Sequence, residues 1–308
     1  MLARPMARPP SVLVSIVGAG RVGKTLAKRL RALGWQIGAV VTRTPASSRA
    51  AVRAIGVGTP LAMGALATKE AGAAILASDI VLIATPDGSM AAAAETLART
   101  GGPAWRGKVA LHTSGALDRS VLAPLARFGA ATGSLHPMQT FSGRGIPKLS
   151  GVTFAIEGNA RARRVALAIT RSLGGSPVLI ASKDKPAYHA TAVLAAGSGF
   201  PLIEASLQVL ERIGFTRRRA LQTLLPLIRQ MLDNIERLGP RAAWTGPLSR
   251  GDYAVVASQV SALRGYPREF QRAYAALALL AGRTLTKNPK AAVSRIGRAL
   301  KNSRRNRT

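Results

Sequence analysis

The sequence predicts a doubly wound α/β domain followed by an all-α domain. Three observations carry that prediction. A glycine triplet spaced G-x-G-x-x-G sits between an apolar run and a helical segment near the N-terminus. Short apolar runs then alternate with helical segments as far as residue 181, the pattern of βαβ units around a parallel sheet. From Asp184 onward, long alanine- and leucine-rich helical segments replace the strands. The chain has 308 residues, enough for two domains with their own cores.

The apolar run 12–17 leads directly into Gly18, Gly20 and Gly23. A helical segment follows over 22–33 and stops at Gly34. Strand, tight turn and helix form the context in which this triplet binds a dinucleotide. Gly18 permits the turn, Gly20 lets a pyrophosphate approach the backbone, and Gly23 lets helix and strand pack closely. The helix start offers free N–H groups and a positive dipole end to phosphates. Arg21 and Val22 therefore join the three glycines as expected cofactor contacts.

The second strand, 36–41, ends at Thr42-Arg43-Thr44. An NAD-binding unit carries a carboxylate at this point, for the ribose 2′-OH. None is present, and an arginine can pair bidentately with a phosphate. The expected cofactor is NADP (NADPH), with Ser47, Ser48 and Arg49 near enough to assist.

Next, 50–54 and 60–67 read as short helix or loop. The strand 80–84 is apolar throughout, as in a sheet covered on both faces. It ends at Thr85-Pro86-Asp87. Ligands of doubly wound sheets lie beyond the strands' carboxyl ends, so Thr85 and Pro86 should flank the cofactor. Asp87 is placed to cap a helix over 88–99. Strands 108–111 and 130–135 deliver His112-Thr113-Ser114 and His136 to the same rim. A strand 152–156, a helix 160–173 and a strand 178–180 complete the sheet. Helices 186–213, 216–238, 252–263 and 267–285 follow. The expected division is a flexible N-terminus 1–10, a cofactor domain 11–181, a helical domain 182–286 and a basic tail 287–308.

Composition narrows the chemistry. There is no cysteine, which excludes disulfides, thiolate zinc sites and cysteine nucleophiles. The only histidines are His112, His136 and His189, so no metal site is expected. The net charge of +31 is spread along the whole chain. Few aromatics interleave with the basic residues, which argues against a base-stacking nucleic-acid surface. The tail holds eight basic residues and no acid. It should be mobile, with a basic helix over 291–301 as the alternative, and it leaves one route to polyanions. The N-terminus has no apolar core of a signal peptide, and no uninterrupted run of eighteen apolar residues occurs. The expectation is a cytoplasmic protein with no membrane span.

Six stretches together resemble a known family: IVGAGRVG at 16–23, SDIVLIATPD at 78–87, LHTSGAL at 111–117, GSLHPMQTF at 133–141, KPAYHATAV at 185–193 and TGPLSRGD at 245–252. The chain resembles the bacterial Rossmann-like proteins with a C-terminal domain of the DUF2520 type. That family is related to pyrroline-5-carboxylate reductases, prephenate dehydrogenases and the 6-phosphogluconate dehydrogenase superfamily. The resemblance implies a Rossmann-type sheet, a helical domain like the C-terminal domain of 6-phosphogluconate dehydrogenase, and a nicotinamide cofactor. It also implies pairing of two copies through the helical domain, as similar dehydrogenases do.

The resemblance and the residue chemistry point to one cluster. His136-Pro137-Met138 is similar to the His-Pro-Met stretch of prephenate dehydrogenases, whose histidine contacts the substrate hydroxyl. Imidazole titrates near neutral pH and suits carbonyl/alcohol interconversion. Lys185 and His189 lie four apart, on one face of a helix that Pro186 would start. Related dehydrogenases carry Lys-x-x-x-Asn there, with lysine as acid/base; this chain has Lys-x-x-x-His. An asparagine about eight residues past the histidine, usual in the family, is replaced by Gly197-Ser198. The expected catalytic residues are His136, Lys185, His189 and Ser114. His112, Thr113 and Arg250 are expected to contact a small-molecule substrate, Arg250 through a carboxylate or phosphate. Asp252 is a natural N-cap for the helix after it. Two functions follow: an NADP-dependent oxidoreductase acting on a small carbonyl, imine or alcohol, or a non-catalytic NADP-binding regulatory protein.

Overall fold

The structure, a computed structural model, describes residues 12–305. The segment 1–10 lies outside the described residues. The chain divides into two compact units, 1–198 and 199–308.

The first unit starts with strand β1 (Leu13–Val17), helix α1 (Arg21–Ala32), β2 (Gln36–Thr42) and α2 (Pro45–Ile55). Then come β3 (Thr59–Ala62), α3 (Lys69–Leu76), β4 (Ile80–Ile83), α4 (Asp87–Gly101), β5 (Val109–His112), the short α5 (Ala123–Ala126) and β6 (Ala131–Pro137). The unit is completed by β7 (Thr153–Gly158), α6 (Ala160–Ser172), β8 (Ser176–Leu179) and α7 (Lys185–Ala192). The eight strands form one sheet in the order β3-β2-β1-β4-β5-β6-β7-β8. The chain order reverses between β1 and β4, which opens a crevice at their carboxyl ends.

Both faces of the sheet are covered, and alternate residues of each strand feed two separate cores. Val14, Ile16, Leu82, Leu111 and Phe154 pack with Leu26 and Leu30 of α1 and with Ala162, Ala166 and Ile169 of α6. Val17, Val81, Ile83 and Ala110 pack on the other face with Met90, Ala94 and Leu97 of α4 and with Trp105. This two-sided burial is why these strands read as continuous apolar runs.

Four expectations need correction. The stretch 60–67 is not helix or loop alone: β3 pairs in parallel with β2, and a short 3₁₀ turn follows over Met63–Ala67. The sheet is not wholly parallel, since β7 runs antiparallel to β6. Asp87 does not cap α4; it is the helix's first residue, and Pro86 holds the cap position. The first unit runs on past 181, because Lys185 at the head of α7 is fully buried and bonded to residues of the sheet rim.

The second unit contains α8 (Gly199–Arg212), α9 (Arg217–Leu238), α10 (Pro240–Ala243), α11 (Pro247–Arg250), α12 (Tyr253–Ala262), α13 (Arg268–Thr284) and α14 (Pro289–Arg305). Arg217 ties α9 to α8 through Glu204 and Glu211. The expected mobile tail is a packed helix instead. Ala292, Ile296 and Ala299, at helical spacing, are buried, and α13 approaches Ile296 so closely at Gly282 that a Cβ there would stand 2.6 Å from Ile296 Cδ1. Arg295, Arg298 and Lys301 take the solvent side. One-sign charge did not prevent packing, because the charges of the described side chains fall off the apolar stripe.

Two apolar features stay uncovered. Leu227, Met231, Leu232, Ile235 and Leu238 form an exposed stripe on α9. The continuous helical run Ser182–Arg212 is, by length and composition, apolar enough to cross a membrane, with a mean hydropathy of 1.4 over its most apolar window and 6% of that window buried.

Candidate functional site

A cavity of about 680 Å³ opens at the ends of β1, β2 and β4. Of the expected cofactor contacts, Gly18, Gly20, Thr42, Arg43, Thr85 and Pro86 line it, whereas Arg21, Val22, Gly23 and Thr44 do not; Lys24, Ser47 and Met63 line it as well. The three glycines are there for different reasons. Gly18 has φ +88° and sits against β4, where a Cβ would lie 2.6 Å from Thr85 N. Gly23 packs on the Gly18 carbonyl, which a Cβ would strike. Gly20 has an ordinary φ of −73°, and nothing lies within 4 Å of where its Cβ would be. The fold therefore requires no glycine at 20, and the backbone there is open to close approach.

At the end of β2, Thr44 caps α2 by accepting from Ser47 N–H, and Thr42 Oγ1 donates to the Thr44 carbonyl. This bonding fixes the loop and leaves Arg43 exposed at the cavity wall. Ser48 turns inward to bond the Pro45 carbonyl, so it does not assist, and Arg49 is outside the lining. Lys24, one turn into α1, adds a second cation that the glycine spacing did not single out.

A second cluster forms around the ends of β5 and β6 and the first turn of α7. Lys185 is 0% exposed. Its Nζ donates to the Ser114 carbonyl at 3.0 Å and to Ser134 Oγ at 2.8 Å. Burial draws its pKa down to about 8, against the upward pull of the Glu157, Asp118 and Asp87 carboxylates. One turn later, His189 faces His136 edge to face, with ring centroids 5.4 Å apart. Tyr188 approaches the other side of His136, its hydroxyl 3.4 Å from Nδ1. Burial, then His189 and Lys185, lower the His136 pKa to about 4, so the ring is neutral near pH 7. Burial raises that of Tyr188.

Gly115 lies beneath this pair: a Cβ there would strike His189 Nδ1 and stand 2.8 Å from His136 Nε2. Among the described residues, His189 Nδ1 is the one buried side-chain nitrogen or oxygen with no hydrogen-bond partner. Such an orphan needs an explanation, and a ligand group or water at the site is the usual one.

His112 is built differently. Its Nδ1 accepts from Ser114 N–H at 3.2 Å, so Nε2 carries the proton and donates to the Asp118 carbonyl at 3.1 Å. Both nitrogens are used. Burial, with Lys185 adding to it, lowers its pKa to about 3. His112 thus holds the loop 113–118 and has no nitrogen left for the expected substrate contact. Thr113 is buried too, its N–H extending the sheet to the Ile83 carbonyl. Ser114 Oγ accepts from Ala116 and Leu117 N–H, so the hydroxyl shapes the turn while its carbonyl receives Lys185. Arg250 belongs to the second unit, where its Nε bonds Asp252 at 3.0 Å. Asp252, occupied in this way, makes no side-chain cap to α12.

Sequence reasoning missed Ser134, Glu157 and Tyr188. Tyr188 stood inside a quoted motif, next to His189. Ser134 also stood inside a quoted motif, two residues before His136, but Glu157 had no local signal, since it meets Ser134 only by pairing of β6 with β7.

Comparison with known families matches residues 4–137 to a Rossmann-like domain and residues 152–281 to a domain of unknown function, DUF2520. A comparison with curated proteins finds no match. Among solved structures, the chain is similar to a Bacteroides fragilis protein provisionally described as an NADP oxidoreductase, with TM-score 0.72 and 20% identity over 92% of this chain and 98% of that one. It is similar to a reductive aminase from Aspergillus terreus solved with NADPH and ethyl-5-oxohexanoate, with TM-score 0.66 and 21% identity over 92% and 99%. An imine reductase from Streptomyces aurantiacus gives TM-score 0.60 and 16% identity over 94% and 99%. At these identities the likeness shows the fold.

Proposed function

We propose that this chain, which belongs to the proteins joining a Rossmann-like domain to a DUF2520 domain, is an NADP-dependent oxidoreductase acting on a small carbonyl, imine or alcohol. The observation that carries the reading is the pairing of a cofactor-shaped glycine loop with a buried ammonium beside an unpartnered imidazole nitrogen. The nicotinamide, when bound, supplies or takes the hydride.

The chain's own residues supply the rest. Gly20 leaves the backbone open to the pyrophosphate, and the first turn of α1 offers its N–H groups. Arg43, with Lys24 and Ser47 close by, suits the 2′-phosphate of NADP better than a ribose hydroxyl. Lys185 holds a transferable proton at Nζ, with a pKa of about 8 that keeps it charged yet acidic enough to donate near neutrality. Neutral His136 and the free His189 Nδ1 orient an oxygen or nitrogen substituent of the substrate above Gly115. Solved relatives of the same fold were crystallised with NADPH and a ketone-bearing ester, which fits this class of substrate.

The exposed stripe on α9 and the apolar run Ser182–Arg212 support a homodimer, in which a second copy covers surface that water should not meet.

Titration with NADPH and NADH tests the cofactor. NADPH should bind more tightly, and Arg43→Ala should erase most of the difference, about 10–100-fold for one lost charge-assisted contact. Equal affinities in the native protein would remove the NADP assignment. Consumption of NADPH across a panel of ketones and imines separates an enzyme from a cofactor-binding regulator.

A further inference from the structure

Glu157 is the only carboxylate, and Lys185 the only ammonium, among the buried charged groups of the described residues. Glu157 is 3% exposed on β7, in register with Ser134 of β6, and Ser134 is the hydroxyl that receives Lys185. Each Glu157 oxygen has its own partner. Oε2 accepts from Arg119 N–H at 2.9 Å, and Oε1 accepts from Ser182 Oγ at 3.0 Å. The Arg119 guanidinium adds a looser contact, Nε to Oε1 at 3.7 Å. Arg119 follows Asp118, whose carbonyl accepts the hydrogen bond from His112 Nε2–H and so closes the loop that presents the Ser114 carbonyl to Lys185. Ser182 lies in the turn just before Lys185. One carboxylate therefore bonds both segments that bracket the ammonium.

We propose that Glu157 is the positioning residue of the Lys185 centre: it clamps the 112–119 loop to the head of α7 and supplies the negative charge that keeps a buried lysine protonated. The proposal rests on the reading of Lys185 as proton donor. Burying a carboxylate is costly unless it is bonded and compensates another charge, and Glu157 meets both conditions. The other groups acting on Lys185 leave this role open. Asp118 is committed to Ser120, Asp87 heads α4, and neither is buried. His112 and His136 are neutral at pH 7 and give no compensating charge.

The signs are definite. Removing the Glu157 charge removes an upward influence on the Lys185 pKa, which must fall. If protonated Lys185 is the donor, activity is lost as pH rises through that pKa, so the alkaline limb moves to lower pH. For Glu157→Gln, which keeps the volume, we expect a downward move of about one unit, and thus about tenfold less activity well above the limb. NADPH affinity should be unchanged. The Lys185 titration itself, read by NMR of lysine side-chain nitrogens and identified with Lys185→Arg, should move by the same amount. An unmoved Lys185 titration overturns the proposal. A shifted titration with an unshifted activity profile supports Glu157 and instead removes Lys185 as the donor, so the two failures are distinguishable. Should Glu157→Gln not fold, Glu157→Asp decides. It keeps the charge, so the limb should stay within about 0.3 units while kcat falls from the loosened clamp. A full one-unit shift in that variant overturns the proposal.

Discussion

The imidazoles of His136 and His189 meet edge to face, 5.4 Å between centroids, directly over Gly115. One comes from the end of β6 and the other from α7, and the gap between them exists only because residue 115 has no side chain.

Gly115→Ala should push both rings aside. Its φ is not in the left-handed region, so the effect is steric rather than conformational. We expect turnover to fall about 10–100-fold through misplacement alone, with NADPH binding retained. Lys185→Met should cost more, about 100-fold or above, as loss of a proton donor does. Steady-state kinetics on both variants is the check, and native rates in either would disconnect this cluster from the chemistry.

Gly20→Ala and Gly18→Ala should part company. The first introduces a Cβ into open space at an ordinary φ, so melting temperature should hold while cofactor affinity drops. The second meets Thr85 N and Ala84 at a φ of +88°, and should destabilise the fold by roughly 2–4 kcal/mol. Thermal melts with and without NADPH compare the two. An unstable Gly20→Ala would make that glycine a requirement of the fold.

Acid should weaken the first unit before carboxylates titrate. His112 is held neutral, with its pKa depressed from 6.5 to about 3, whereas in the unfolded chain it gains a proton near 6.5. The unfolded state then binds more protons, so stability is full above about pH 6.5 and falls as pH drops towards 3, by about 1.4 kcal/mol per pH unit. His136, lowered to about 4, acts in the same direction. Denaturant melts at pH 7, 6 and 5 measure the slope, and His112→Asn should reduce it, leaving the share of His136. A native slope near zero would show that His112 takes up its proton as readily in the folded state as in the unfolded one.

Charging the α9 stripe should reveal what covers it. The double change Leu227→Lys with Met231→Lys alters two exposed residues, so folding should survive. A dimer of the native chain at micromolar concentration should become a monomer in sedimentation velocity. A native chain that is already monomeric, or that floats with phospholipid vesicles, would defeat the homodimer reading.

Much of the molecule was legible without coordinates. The glycine loop, the arginine in place of a ribose carboxylate, the strands of the first unit other than β3 and the change to long helices all rest on local signals. Those signals are spacing, periodicity and a missing acid within a few residues of one another. What could not be read is set by partners distant in the chain. Lys185 reaches Ser114 and Ser134 across 71 and 51 residues, and Glu157 reaches Arg119 across 38. The reversal of β7 is what lines up Glu157 with Ser134. The sequence put His189 in the reaction and His112 in contact with substrate, and hydrogen bonding separates them further: His112 has both nitrogens filled, whereas His189 has one buried and free. The last helix was misjudged for the same reason. Its charges are visible in composition, while the seat for Ile296 beside Gly282 exists only once α13 and α14 pack. Local order follows from backbone preference and periodicity, which a short window contains. Burial, protonation and the identity of a free nitrogen follow from which distant groups share a low-dielectric space, and only the folded chain decides that.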